Sequence, residues 1–292
     1  MIVGAGFKPA PTSLNNPKFC AITHDLSLKA YSLQPNILSS YKDKNVVKRN
    51  LKMIVEYNGG GYHGWQRQNN TITVQQVIEE KISIITREEI KIIGAGRTDA
   101  GVHAINQVAN FKTGSKIEET KLLQGINSLL PRDVVVKQLV EVEDAFHARH
   151  NARSKVYLYQ IYNRPVRSVM YRDYAWFVRE SLAIDRMRAA LLLLKGTHDF
   201  SSFSAADKEI KNHVRTVMDV DVKVAKCGMI KIYIEADGFL RYMARNIVGT
   251  LVDVGKGKLT PAEFMDLIEI KDRRRAGVTA PAQGLFLMEV KY

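Results

Sequence analysis

Cysteine is scarce: Cys20 and Cys227 are the two in 292 residues, far apart and in no metal-ligand spacing. That excludes a disulfide framework and a thiolate zinc site, and it points to a reducing compartment. Long apolar runs are missing as well. No stretch approaches the roughly 20 residues that span a bilayer, and the N-terminus lacks an apolar core ahead of a cleavage site. No membrane partner is expected, and a cytoplasmic location is. Several enzyme signatures are also absent. There is no His-x-Glu with Pro-Cys-x-x-Cys for zinc deamination, no nucleophile-elbow serine, and no glycine loop for a methyl donor or a nucleotide.

Positive charge is abundant. The chain carries 43 Lys/Arg against 30 Asp/Glu, a net +13, with a pI near 9.6. Residues 1–50 hold seven of the bases and two of the acids, and the rest keeps 36 bases and 28 acids. A basic body suits a polyanion, because neutralised phosphates supply most non-specific nucleic-acid affinity. It suits a merely basic soluble protein equally.

Residues 1–47 hold four of the eight prolines and no sustained apolar period. They read as a disordered leader or a misassigned start. Beyond them, periods of two and of 3.6 residues alternate. Strands are expected at Leu51–Tyr57, Ile90–Ile93, Ala104–Lys112 and Val134–Val142, and helices at Thr73–Thr86 and Glu118–Leu130. A second series opens with a strand at Ser154–Asn163 and a helix at Ile184–Lys195 closed by Gly196. A hairpin of Val214–Lys226 and Met229–Ala236 follows, then helices at Phe239–Val254 and from Pro261, and a last strand at Leu285–Val290. The body therefore divides into 48–153 and 154–292, two α+β halves of ferredoxin-like (RRM-like) type.

The stretch Gly94-Ala-Gly-Arg-Thr-Asp-Ala-Gly-Val-His-Ala104 is the most informative one. It presents one carboxylate, Asp99, on a glycine-bounded turn, with Arg97 before it and His103 after it. Glycines let the backbone take positive φ and approach a ligand. No second acid lies in the turn, so paired-carboxylate chemistry is not indicated. Asp99 stands where the third glycine of a dinucleotide fingerprint would be, and no Gly-Lys-Ser/Thr follows, so both phosphate-loop readings fail. A lone Asp beside Arg suits a nucleophile or base acting on an anionic substrate. An Asx turn or helix cap is the bland reading of the same residues. Phosphoester hydrolysis would need a metal-binding acid cluster, which Glu88, Glu89 and Asp99 do not make.

Read together, Gly96 to His103 closely resemble the active-site motif of tRNA pseudouridine synthases of the TruA family. Four more segments carry the same resemblance. Tyr57–Gln66 is similar to the family's Tyr-Asp-Gly-x-x-Tyr-x-Gly-Trp-Gln, with Asn58 in place of the Asp and an expected change in loop order. Lys155-Val-Tyr157-Leu-Tyr159 is similar to its second motif, and Phe239–Gly249 to its Phe-x-x-x-Met-x-Arg-Asn-Ile-Val-Gly. Ala280–Leu287 resembles its Ala-x-Gly-Leu-x-Leu ending. The resemblance implies one continuous antiparallel sheet flooring a basic active-site cleft between the two halves. It implies cofactor-free isomerisation of uridine to pseudouridine at positions 38, 39 and 40 of the tRNA anticodon stem-loop, by a homodimer. Asp99 would be the essential carboxylate; attack on the base, attack on the sugar and proton abstraction are all open to it. Arg97 would fill the space of the extruded base, Tyr157 would stack on that base, and Arg245 would pair bidentately with Asp99. His103, Lys155 and Leu285 would line the substrate site, and no metal is implied. A catalytically inactive RNA-binding protein on the same fold is the alternative. Gly196–Phe203, with His198 and Asp199, reads as a turn with a capping role. Lys271–Arg275 reads as a basic run that could meet phosphates.

Overall fold

A computed structural model of the protein describes residues 47–205 and 211–292. The expectation for residues 1–47 falls, Val47 aside, outside that range. Among the described residues, ten strands form one mixed sheet. They are β1 (Arg49–Tyr57), β2 (Ile93–Gly94), β3 (His103–Thr113), β4 (Val134–Val142) and β5 (Ser154–Asn163). Then come β6 (Trp176–Val178), β7 (Gly196–Asp199), β8 (Val214–Val224), β9 (Met229–Ala236) and β10 (Leu285–Lys291). The order is β4-β1-β3-β10-β5-β9-β8-β7, with β2 on β3 and β6 on β5. All pairings are antiparallel except β10 with β3 and β6 with β5. The class is α+β, with one large, mostly antiparallel sheet.

The C-terminal strand lies in the middle of this sheet. β10 pairs in parallel with β3 at Phe286–His103 and Leu287–Ala104, and antiparallel with β5 from Leu285–Tyr159 to Lys291–Ser154. The loop that feeds β3 and the tyrosines of β5 are thus separated by one strand, roughly 10 Å at the usual spacing. Among the described residues, five α-helices accompany the sheet: α1 (Val74–Thr86), α2 (Glu119–Leu129), α3 (Ile184–Leu192), α4 (Met243–Gly255) and α5 (Pro261–Ile270). Alternate strand residues, such as Leu51, Met53 and Val55 or Ile230, Ile232 and Ile234, bury against helix residues such as Ile78, Ile82, Ile247 and Leu251 in one core. Thr73 caps α1 through Gln76, and Thr260 and Glu263 form a capping box at α5 with Pro261 at its first position.

Four departures from the sequence reading have local causes. Ile90–Ile93 pairs with β3 only from Ile93, because the amides of Ile90 and Ile92 are taken by Ser83 Oγ and Glu79 Oε1 on α1. α3 ends at Leu192, since Leu193, Leu194 and Lys195 bond three residues back and tighten the chain. The hairpin strand β8 stops at Val224, and Gly228 turns at φ 85°. α4 begins at Met243, because Tyr242 is left-handed at φ 64°; Phe239 to Tyr242 approach the helix and do not belong to it. Strand β6 and the pairing of Gly196–Asp199 carried no periodic signal.

α4 contains a close approach that bears on the functional residues. A Cβ at Gly249 would lie 1.7 Å from the carbonyl oxygen of Val278, two residues before Ala280. Gly249→Ala gains about 1 kcal/mol of helix propensity but must displace backbone that cannot yield as a side chain does. We expect a net loss of about 2 kcal/mol and a clear fall in the thermal midpoint. An unchanged or raised midpoint in calorimetry would contradict this contact.

Candidate active site

The Asp99 loop rests on the turn that follows β1. Gly59 permits contact with the Val102 backbone, where a Cβ would lie 2.0 Å from the carbonyl oxygen. Gly64, at φ 88°, lies so close to the Thr98 carbonyl that a Cβ would be 2.5 Å from it. Four hydrogen bonds fix the approach. Trp65 N donates to Thr98 O at 3.1 Å and Gly101 N to Tyr62 O at 3.3 Å. The hydroxyls of Tyr57 and Thr98 are 2.8 Å apart, and Gln107 donates to Gly96 O at 2.9 Å. Tyr57, Tyr62 and Trp65 are buried, so these aromatics form the bed of the loop and are not open platforms for bases.

Asp99 stands on this bed with its side chain one quarter exposed. Arg245, in the first turn of α4, donates from Nη1 to Asp99 Oδ2 at 3.1 Å and from Nε to Ala280 O at 2.7 Å. The pairing is therefore monodentate and not the two-pronged one anticipated, because a second prong of the guanidinium serves the Ala280 carbonyl. Burial raises the Asp99 carboxyl above its usual 3.8, and the Arg245 hydrogen bond, then the charges of Arg245 and Arg241, pull it back. A raised folded-state value means that stability falls as pH rises through it, so the ionised carboxylate is held at a cost to the fold.

The other anticipated residues divide into two groups. Tyr157 is buried on β5 with its ring edge-on to Phe239 at 4.7 Å. Burial pushes its hydroxyl well up, and the charges of Tyr57 and Asp99 add to this. Lys155 lies against the loop, its Cε 3.2 Å from where a Gly96 Cβ would be. Burial lowers its ammonium, Arg149 and Arg215 push the same way, and Asp237 opposes them. Arg97 is exposed, and no partner among the described residues holds it. Leu285 is buried opposite Tyr159, whose hydroxyl bonds Pro281 O at 2.8 Å. His103 lies apart. It is buried, accepts from Gly59 N at 3.1 Å and stacks on Phe286 at 4.7 Å, and burial lowers its imidazole. It stands at the head of β3, against the turn that follows β1. Among the described residues, no group of three or more His, Cys, Asp or Glu could hold a metal, and no helix is long and apolar enough to cross a membrane.

The model of the tRNA pseudouridine synthase family matches residues 53–151 and 190–292. A tRNA pseudouridine synthase A of Thermoanaerobacter sp. strain X514 is 48% identical over 244 residues, covering 84% of this chain and 100% of that protein. Proteins of the same name from Caldicellulosiruptor bescii and Acetivibrio thermocellus are 47% and 46% identical, with the same coverage. The chain belongs to the tRNA pseudouridine synthase family.

Against the synthase motifs, Asn58 is the visible departure, and it keeps the turn regular. Its Oδ1 accepts from Gly60 N at 2.9 Å, as a carboxylate would, and its Nδ2 adds a bond to Tyr174 Oη at 2.9 Å. Gly59–Gly61 form a 3-10 turn with Asn58 at its N-cap. Gly196–Asp199, read from sequence as a turn, is strand β7, and the turn begins at its end, where Asp199 Oδ1 accepts from Ser201 N at 3.0 Å. Of the basic run, Arg273 turns inward to bond Asn246 and Thr279, while Lys271, Arg274 and Arg275 stay exposed, Lys271 paired with Asp199 and Arg274 with Asp272. Sequence reasoning missed Gln107, Arg149, Arg215 and the Ala280 carbonyl: the first three lie outside the matched motifs, and Ala280, though it opens one, acts through its backbone, which carries no sequence signal.

Arg245→Lys keeps the charge but cannot reach Asp99 and Ala280 from two prongs of one planar group. Its single-turnover rate should fall at least about tenfold, or roughly 1.4 kcal/mol of transition-state stabilisation. Arg241 acts on Asp99 through charge, which lysine retains, so Arg241→Lys should lose less. Equal rates for the two lysine variants, or a larger loss at Arg241, would contradict the assignment of Arg245.

Proposed function

We propose that this protein converts uridine to pseudouridine in tRNA, at positions 38, 39 and 40 of the anticodon stem-loop. The observation that carries the reading is the Asp99–Arg245 pair on a glycine loop, at 3.1 Å and partly shielded from water. The reaction exchanges one bond for another: N1–C1′ breaks, C5–C1′ forms, the C5 proton leaves to solvent and N1 gains a proton. It needs no net oxidant and no group donor, so a single carboxylate with an orienting arginine suffices in kind. Asp99 is the essential carboxylate. Tyr157 stacks on the uracil, and Leu285 closes the pocket beside Tyr159. Arg97, exposed next to Asp99, enters the space of the extruded base.

Lys155, with Arg149 and Arg215 close enough to depress its ammonium, makes a strip of like charge beside the loop. Such a strip costs stability unless an anion lies on it, which suits a phosphate backbone. The helices support a reading as two ferredoxin-like halves, 48–153 and 154–292, with the basic cleft between them. α1 and α2 are connected with β1, β3 and β4, and α3 to α5 with β5 to β10. Self-association into a homodimer is supported by the apolar surface of the β5–β6 connection, where Val166, Val169 and Met170 are exposed. A cytoplasmic location fits the substrate. The inactive RNA-binding alternative has no feature in its favour, because both members of the ion pair are present.

Tritium release from C5-labelled uridine in tRNA tests the reading. The parent protein should release tritium, and Asp99→Asn should release none above background while tRNA affinity stays within a few-fold, since binding is spread over many phosphates. Substantial release by Asp99→Asn would remove the assignment.

A further inference from the structure

Both arginines that act on Asp99 lie against one aromatic ring. The guanidinium carbon of Arg241 is 5.0 Å from the centre of the Tyr242 ring, and that of Arg245 is 5.1 Å from it. Arg241 also donates from Nη2 to Tyr242 Oη at 3.2 Å. Tyr242 itself has φ 64° and ψ 2°, a left-handed conformation that a residue with a Cβ adopts only when its surroundings hold it there. It is the residue at which the chain turns into α4, three positions before Arg245.

The Arg245 guanidinium has two polar anchors, Asp99 Oδ2 and Ala280 O. Neither is bidentate, so the carboxylate alone does not fix the plane of the fork. A π face beside the guanidinium supplies a further constraint, through attraction of the cation and through contact of two flat groups. We infer that Tyr242 is a positioning residue: its ring, turned to Arg245 by the left-handed backbone, sets the plane in which that arginine meets Asp99. The inference rests on Asp99 being the reacting carboxylate. It adds that Tyr242 acts on the reaction without touching substrate, and that the positive-φ backbone serves this contact.

The test compares single-turnover rates across pH, tRNA affinity and thermal midpoint for the parent, Tyr242→Leu, Tyr242→Gly and Tyr242→Phe, with Asp99→Asn alongside. Glycine suits the left-handed backbone, so Tyr242→Gly removes the ring while keeping the turn even if Tyr242→Leu unfolds. With the ring gone, the rate at saturating tRNA should fall about tenfold, with tRNA affinity within about threefold and the acid limb of the rate profile moved to higher pH. Tyr242→Phe keeps the ring and should recover to within about threefold of the parent. Parent-like rates in Tyr242→Gly, or a loss with an unmoved acid limb, would overturn the inference alone, provided the parent is active and Asp99→Asn is not. A parent that forms no pseudouridine would overturn the proposed function and this inference with it.

Discussion

The ion pair between Asp99 and Arg245 joins side chains 146 positions apart in the sequence, and the rest of the structure is arranged to let it form. A carboxylate can react as an anion only if it is kept ionised, and it is useful only if it is kept from bulk water. Those demands oppose each other. Burial raises the Asp99 carboxyl, and the positive groups of Arg245 and Arg241 draw it down. The balance depends on where the arginine stands, and backbone packing from several segments converges there.

Three segments set that position. The first is the turn after β1, whose Gly59 and Gly64 let the loop backbone come to contact. The second is the start of α4, where the left-handed Tyr242 directs the helix so that Arg245 faces the loop. The third is the stretch before β10. Its Ala280 accepts Arg245 Nε and donates its own amide to Arg245 O at 3.1 Å. Gly249 holds that stretch against α4, and β10 then runs into the sheet between β3 and β5. A central C-terminal strand thus places the two functional edges at one strand's remove from each other.

Much of this was legible in the sequence, for physical reasons that can be named. Runs such as Val134–Val142 and Ser154–Asn163 matched their strands residue for residue, because each is rich in β-branched and aromatic residues and buries several of them. The pairing of Arg245 with Asp99 was available only through the resemblance to the synthase family, since no local spacing connects them. What remained hidden depends on side chains that replace ladder bonds, as Glu79 and Ser83 do at Ile90–Ile92, or on single backbone angles. The left-handed turn at Tyr242 is of that kind: an apolar stripe continues through Phe239, but the helix does not. Short strands with few residues, such as Trp176–Val178, have too little length to show a period.

The direct measurement of the central claim is the titration of the Asp99 carboxyl carbon by NMR in the free protein, with Arg245→Gln beside the parent. If burial and the arginines hold the carboxylate in opposed balance, the parent midpoint lies above 3.8 and the Arg245→Gln midpoint lies higher still. A parent midpoint at or below 3.8, or one that the change at Arg245 leaves where it was, would contradict the account.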